Sequence, residues 1–280
     1  MRDVFRPDLL RGQGVVVTGG ASGIGAATAR AFAQLGADVV IASRKAESIA
    51  AAAAGLTEEV GRPVHGIACD IRDRDAVAAL AAFALERVGR IDVLVNNGGG
   101  QFFSPAEAIS PRGWDAVITT NLTGTWNLTR AVADAWMLAH GGSIVNVTMM
   151  TQGGSPGMAH SAAARSGVES LTRTLAIEWA TRGVRVNCVA PGYVASSGLK
   201  RYPPELGIAD RVRSLTPMKR LATTDEIAGW IVALASPLGA YVTGQVITVD
   251  GGASHWGDLW PIPDPAAFPP LELSEEPWDT

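Results

Sequence analysis

The sequence predicts an α/β protein: a doubly wound, parallel seven-stranded sheet in a single domain. Three observations carry that expectation. Short Val/Ile runs alternate with Ala-rich stretches of about ten or more residues, long enough for the helical crossovers that parallel strands require. The first apolar run leads directly into a glycine-rich turn and then a helix-like segment. With 280 residues, 47% apolar and 18% charged, the chain can bury one sizeable core, and its 32 glycines suit tight turns between elements.

The elements follow in order. Residues 15–17 (Val-Val-Val) read as a short buried strand, and 26–35 as an Ala-rich helix closed by Gly36. The alternation repeats with strand 39–42, helix 46–60, strand 64–69, helix 73–88 and strand 91–95. An amphipathic segment spans about 110–138, then strand 143–148, helix 161–181, strand 184–190, helix 223–235 and strand 245–249. Residues 192–217 have weak periodicity and many Pro and Gly, and they follow a strand end, which makes them the natural lid over a ligand cleft. This organisation gives a catalytic unit over 1–252 and a Trp/Pro-rich acidic arm over 253–280, including Trp256 and Trp260.

Charge is uneven. The net charge is −4, yet residues 253–280 hold Asp258, Asp264, Glu272, Glu275, Glu276 and Asp279 without Lys or Arg, leaving 1–252 at +2. That balance argues against nucleic acid as a partner. Cys69 and Cys188 lie in apolar runs away from any histidine, as core thiols of a reducing compartment do, so neither a disulfide nor a metal site is expected. The N-terminus lacks a signal-like apolar core, no run is long enough to span a bilayer, and Trp278-Asp279-Thr280 is not a peroxisomal address. A cytoplasmic protein without membrane contact is expected.

The turn Thr18, Gly19, Gly20, Ala21, Ser22, Gly23, Ile24, Gly25 sits between strand and helix, where glycines let a pyrophosphate approach and the helix N-terminus faces it. This is a Rossmann-type arrangement. At the end of the second strand a carboxylate would select NAD; the chain instead carries Ser43, Arg44 and Lys45, whose charge favours the 2′-phosphate of NADPH (NADP+). A solvated basic turn is the alternative for that triplet. Asp70 ends the third strand, where it can accept from adenine, and Asn96, Asn97, Gly98 and Gly99 end the fourth, where small residues admit the cofactor.

The turn from Thr18 to Gly25, the Asn96-Asn97-Gly98 triplet, Asn121, the stretch Ser161 to Arg165, Arg185 to Gly192 and Asp250-Gly251-Gly252 together resemble the short-chain dehydrogenase/reductase family along essentially the whole chain. More narrowly, residues 96–107, 121–125, 140–146 and 160–168 resemble the trans-2-enoyl-CoA reductases of peroxisomes and, less closely, the 2,4-dienoyl-CoA reductases. The resemblance implies cofactor contacts at Ile71 and at the start of the lid, Pro191, Gly192, Val194 and Ser196, and a homotetramer.

In the family's carbonyl reductases a Tyr-x-x-x-Lys pair on one helix face moves the proton. Here Ser161 takes the tyrosine register and Arg165 the lysine register. Arg165 can hold the cofactor ribose, whereas Ser161 cannot act as a phenolic acid. Thr148 or Thr151 replaces the assisting serine, and the resemblance gives Asn121 the task of loosening its helix and holding a relay water; a polar residue facing a neighbouring subunit is the other reading. These donors suit reduction of a double bond conjugated to a thioester, where charge collects on the thioester oxygen and hydrogen bonds stabilise it. His160 or a held water would supply the proton, and His160 is equally readable as a packed loop residue.

Between Leu199 and Arg220, the cations Lys200, Arg201, Arg211, Arg213, Lys219 and Arg220 give a net +4 that fits the phosphates of coenzyme A. Tyr193 follows Pro191-Gly192 and either reaches the cleft or packs the lid; Trp256 and Trp260 either close an acyl channel or dock on another subunit. The leading expectation is an NADPH-dependent trans-2-enoyl-CoA reductase. The alternatives are an alcohol or aldehyde dehydrogenase of branched or terpenoid substrates, and a non-catalytic NADPH-binding scaffold.

Overall fold

A computed structural model describes residues 4–196, 207–256 and 261–266. Seven parallel strands, β1 (Gly14–Thr18), β2 (Asp38–Ser43), β3 (Val64–Ala68), β4 (Val93–Asn96), β5 (Gly142–Val147), β6 (Val184–Pro191) and β7 (Val246–Val249), lie in the order β3-β2-β1-β4-β5-β6-β7. The order reverses between β1 and β4, and the crevice above that switch point is where such sheets receive ligands.

Helices α1 (Gly23–Gln34), α2 (Ala46–Val60), α3 (Arg74–Val88), α4 (Pro111–Ile118), α5 (Gly124–Val132), α6 (Leu138–His140), α7 (Ala159–Glu178), α8 (Ile208–Leu215) and α9 (Thr224–Ala235) make the crossovers. The Val15-Val16-Val17 run follows from this layering. Side chains alternate across a strand, so Val15 and Val17 join Phe32, Ile227 and Ile231 on one face while Val16 joins Leu80, Leu128 and Leu175 on the other. Both faces are dry, so the Val15-Val16-Val17 run is apolar at every position. Each fully buried valine contributes about 1.5–3 kcal/mol of transfer energy.

Where chain signals are local, the elements match the sequence. Asp73 caps α3 by accepting from the backbone of Asp75 (2.9 Å) and Ala76 (3.3 Å). Thr223 and Glu226 close a reciprocal capping box on α9.

Two segments differ from expectation. The 110–138 stretch is helical throughout, but wide π turns at Thr119–Thr123 and Ala133–Met137 interrupt it. In the first of these the Thr125 hydroxyl donates to the Asn121 carbonyl at 2.8 Å, competing with the regular ladder. The lid region contains α8, whose eight residues are too short for its period to stand out in the sequence. The remainder of the expected lid, 197–206, and Trp260 lie outside the described residues.

Candidate active site

A cleft of about 1110 Å³ opens above the β1/β4 switch point. Its walls include Thr18, Gly19, Ser22, Gly23, Ile24, Ser43, Arg44, Lys45, Asp70, Ile71, Asn97, Gly98, Gly99 and Ser196, which are most of the residues expected around a dinucleotide. Gly25, Arg165, Pro191, Gly192 and Val194 are not among these lining residues. Gly25 shapes the cleft from behind, because any side chain there would collide with the Gly19 carbonyl and push α1 off the turn. Pro191 ends β6, and Val194 forms an isolated bridge with Ala222, so these residues join the lid base to the sheet.

The turn is stapled to the neighbouring strand end. Thr18 is buried; its hydroxyl oxygen accepts from the backbone N–H of Asn97 (3.2 Å) and Gly98 (3.0 Å), and the Asn97 amide donates to the Thr18 carbonyl (3.0 Å). Gly19 can close this turn because its φ of 66° is open to glycine. No acidic residue occupies the first turn of α1, whose positive end therefore faces the cleft without a built-in counter-charge. Glycines at the turn, an uncountered helix end and a basic corner form a donor set that fits a dinucleotide diphosphate.

At the far end, Arg44 and Lys45 are exposed on the cleft wall. Asp70, expected to accept from adenine, is engaged by Arg72 two residues on, with Nε at 2.9 Å from Oδ1 and the terminal nitrogen at 2.5 Å from Oδ2. Those bonds, aided by Arg44, hold its carboxyl below the usual range. Arg72 was not picked out from the sequence; its place two residues after a strand-end carboxylate was the available signal.

Helix α7 carries Ser161, Arg165 and Glu169 one turn apart on one face. Ser161 is fully buried, and its hydroxyl donates to Oε1 of Gln101 at 3.3 Å beside the Met149 sulfur at 3.5 Å. Arg165 has a relative exposure of 7% and gives one terminal N–H to the Val147 carbonyl at 2.7 Å. Its Nε is buried with no partner. Burial pulls its pKa down to about 10, against a weak opposing effect of Cys188, so the guanidinium stays charged at neutral pH. A buried cation with an unused N–H suits acceptor oxygens such as ribose hydroxyls.

Thr148, Thr151 and His160 make contacts that bear on their expected roles. The Thr148 hydroxyl contacts Cys188 Sγ at 3.1 Å and reaches Glu169, and Thr151 also reaches Glu169, so both hydroxyls are engaged with groups other than Ser161. Glu169 is half-buried, Oε1 lacks a partner, and desolvation raises its pKa against Arg173 and the two threonine hydroxyls. His160 is fully buried and its Nδ1 accepts the Ser161 backbone N–H at 2.8 Å, which puts the ring proton on a buried, unpartnered Nε2. Phe102 covers that ring edge-on, with centroids 4.4 Å apart. An imidazole with no exposed surface and a phenyl ring against it has the surroundings of a packing residue, with no path to solvent for a proton.

Asn121 is wholly buried in the π turn, which excludes the subunit-facing reading. Its amide donates to the Gly100 carbonyl (3.0 Å) and accepts from the Gly100 N–H (2.9 Å), so the side chain clamps a loop.

Within the described part of the expected cationic lid, most cations are ion-paired. Among the described residues, Arg213 pairs with Asp210 (3.3 Å), Arg220 with Glu226 (2.6 Å) and Lys219 with Asp264 (3.8 Å), leaving Arg211 exposed; Lys200 and Arg201 lie outside those residues. Trp256 meets the lid base of its own chain, with Lys219 Nζ 4.8 Å above its ring. Tyr193 is partly exposed, and no tyrosine is among the residues that line the described cleft. Cys69 and Cys188 are buried free thiols, their pKa values pushed up to about 11 and about 12, chiefly by burial. Among the described residues no helix is long and apolar enough to cross a membrane.

Residues 19–254 match a family model described as enoyl-(acyl carrier protein) reductase. The (3E)-enoyl-CoA-producing peroxisomal 2,4-dienoyl-CoA reductase of Pongo abelii is 39% identical over 257 residues, 90% of this chain and 87% of that protein. The 3-oxoacyl-(acyl-carrier-protein) reductase FabG of Thermotoga maritima is 38% identical over 247 residues, covering 87% and 98% respectively. Among solved structures, the citronellol catabolism dehydrogenase AtuB of Pseudomonas aeruginosa PAO1 superposes with a TM-score of 0.81 at 46% identity, covering 90% of this chain and 98% of that one.

Proposed function

Because the chain belongs to the short-chain dehydrogenase/reductase family, whose members use a nicotinamide dinucleotide, we propose that it is an NADPH-dependent reductase of the 2,3 double bond of trans-2-enoyl-CoA thioesters. One observation carries this reading: the helix that serves the family's proton chemistry presents a buried hydroxyl and a buried guanidinium, Ser161 and Arg165, where carbonyl reduction relies on a phenol and an ammonium. Similarity to dienoyl-CoA reductases supports the thioester class.

The turn Thr18–Gly25 and the start of α1 would hold the cofactor diphosphate, Arg165 the ribose, and Ser43, Arg44 and Lys45 the 2′-phosphate. When bound, the reduced nicotinamide supplies a hydride for the β-carbon. The Ser161 hydroxyl donates to the thioester oxygen as negative charge gathers there, and the Arg165 charge lowers the energy of that oxyanion from below. No proton has to leave Ser161 for this to work, which is why a hydroxyl of ordinary acidity suffices. The α-carbon takes its proton from water entering the cleft, since His160 is sealed.

A second reading, oxidation of branched or terpenoid alcohols, is favoured by the 46% identity to the citronellol catabolism dehydrogenase. Purified protein incubated with NADPH separates them. Cofactor consumption with medium-chain trans-2-enoyl-CoA, exceeding that with 2,4-dienoyl-CoA or 3-oxoacyl-CoA, supports the proposal. Turnover confined to branched alcohols with NADP+ replaces it with the second reading, and cofactor binding without turnover makes the chain a scaffold. A homo-oligomer is part of the proposal, because Trp114, Trp126 and Ile177 remain exposed on α4, α5 and α7. Two buried free thiols suit a reducing compartment, taken here as the cytoplasm.

A further inference from the structure

Residues 99–101 run as a strip past Arg165, Asn121 and Ser161, and between them they touch all three. A Cβ on Gly99 would collide with the Arg165 guanidinium and fall 2.8 Å from Asn121 Oδ1, so the strip lies directly against both. Gly100 is gripped through its N–H and its carbonyl by the Asn121 amide, at 2.9 and 3.0 Å. Gln101 comes next, and its carboxamide meets the Ser161 hydroxyl at 3.3 Å. A few residues on, the Ser104 N–H donates to the Gly157 carbonyl at 2.9 Å and ties the strip to the segment that enters α7.

We propose that Gln101 is a positioning residue that sets the direction in which the Ser161 hydroxyl donates, held in place by the Asn121 clamp on Gly100. The inference rests on the reading that Ser161 stabilises an oxyanion on the substrate. A hydroxyl has one proton, and in the present arrangement it points at the Gln101 oxygen. Turning the carboxamide by half a rotation presents its NH2 group instead. Ser161 then accepts from Gln101 and has its own proton free for the substrate oxygen, and the two donations reinforce each other along the chain. Only a group that both donates and accepts at that position allows the exchange. This also gives the Asn121 clamp a purpose: it holds the backbone while the neighbouring carboxamide turns.

The test is Gln101→Glu and Gln101→Met, with kcat and KM followed across pH on whichever substrate the wild-type protein reduces fastest among enoyl-CoA, dienoyl-CoA and carbonyl compounds. An ionised carboxylate only accepts, so it keeps the Ser161 proton turned away. For Gln101→Glu, kcat should fall about 10²-fold near pH 8, the scale of a lost oxyanion donor, with KM within about threefold. Activity should climb again as the pH drops toward about 5 and the carboxyl regains a donor proton. The titratable and charged neighbours are Arg165 against Gly99, His160 beside Ser161 and Glu169 further along α7; Gln101→Met, which adds no charge, reports their own part of the pH profile.

Gln101→Met should lose a similar factor at every pH, and adding Ser161→Ala to Gln101→Glu should erase the acid recovery. Wild-type kcat in Gln101→Glu at all pH values, or an equal loss in both variants with no recovery, overturns the proposal while leaving the substrate reading intact. A wild-type protein that reduces carbonyls alone overturns the substrate reading, and the Gln101 variants are then judged on that carbonyl's oxygen. A wild-type protein inert toward all of them overturns both.

Discussion

Arg165 holds a buried charge whose Nε has no acceptor in the free protein, and that imbalance has a measurable sign. An uncompensated guanidinium costs folding energy that a well-packed apolar side chain would not, so Arg165→Met should stabilise the free protein by about 1 kcal/mol or more in a denaturant melt while abolishing most cofactor-induced stabilisation. The pKa of about 10 agrees in sign: folding releases the proton more readily than the unfolded chain does, so the penalty is full below that pH and is relieved as the pH climbs beyond it. A Met variant less stable than wild type without cofactor would contradict the argument. At the other end of the cleft, exposed Arg44 would meet the 2′-phosphate of the proposed NADPH, a group that NADH lacks. Arg44→Asp should weaken NADPH about tenfold or more and leave NADH near its wild-type value in a titration, since a charge-assisted bond is exchanged for repulsion. Equal losses for both would remove the 2′-phosphate assignment.

At the scale of elements, what could be read in the sequence was whatever depends on neighbours along the chain. The apolar run of β1, the glycines after it and the i, i+4 spacing of Ser161 and Arg165 are local, and the structure places most of the turn residues on the cleft and both side chains on one face of α7. Contacts between distant segments left no such trace. Gln101 meets Ser161 across 60 residues, Thr148 turns to Cys188 across 40, and the Asn121 clamp depends on where a loop 21 residues earlier returns. The π turn at Thr119–Thr123 answers the expectation that Asn121 loosens its helix, but its extent was hidden, because the bonds that hold the Asn121 side chain come from a distant loop. Capping also depends on near neighbours along the chain, and α9 gives it a quantitative check. Glu226 accepts from the Thr223 N–H at 2.8 Å and pairs with Arg220, which holds its carboxyl below the ordinary range. Glu226→Gln should cost about 1 kcal/mol at neutral pH, the typical value of a helix cap. A depressed carboxylate pKa contributes stability above the unfolded value and loses it as pH falls through the folded one, so wild type and variant should converge in acid. A gap that persists unchanged at low pH would mean the pair contributes nothing beyond shape.

Across the whole molecule, the segment after β7 returns to the base of the lid, and Lys219 is where they meet. Its backbone sits at φ 56°, a conformation costly for a side chain with a Cβ, yet it is nearly buried between the Trp256 ring at 4.8 Å and Asp264 at 3.8 Å. The same stretch is bonded to the glycines that follow β7 through Met218 N–H to the Gly251 carbonyl at 3.3 Å. Strain at one residue is therefore offset by a cation–π contact and an ion pair that tie Trp256 and Asp264, both after β7, to the base of the lid. Gly at this position would relieve the backbone and cut both contacts together, which separates folding from anchoring. Lys219→Gly should leave the melting temperature unchanged or slightly higher, while chymotrypsin removes the arm about 5 to 30 times faster, the range expected for a loss of one or two kcal/mol in the local closing equilibrium. Raising salt should speed cleavage of the wild type and not of the variant, because only the wild type has a charge pair to screen. Equal cleavage rates for both proteins at low salt would show that the arm is held by its other contacts and that Lys219 adopts its strained backbone without any return from Trp256 and Asp264.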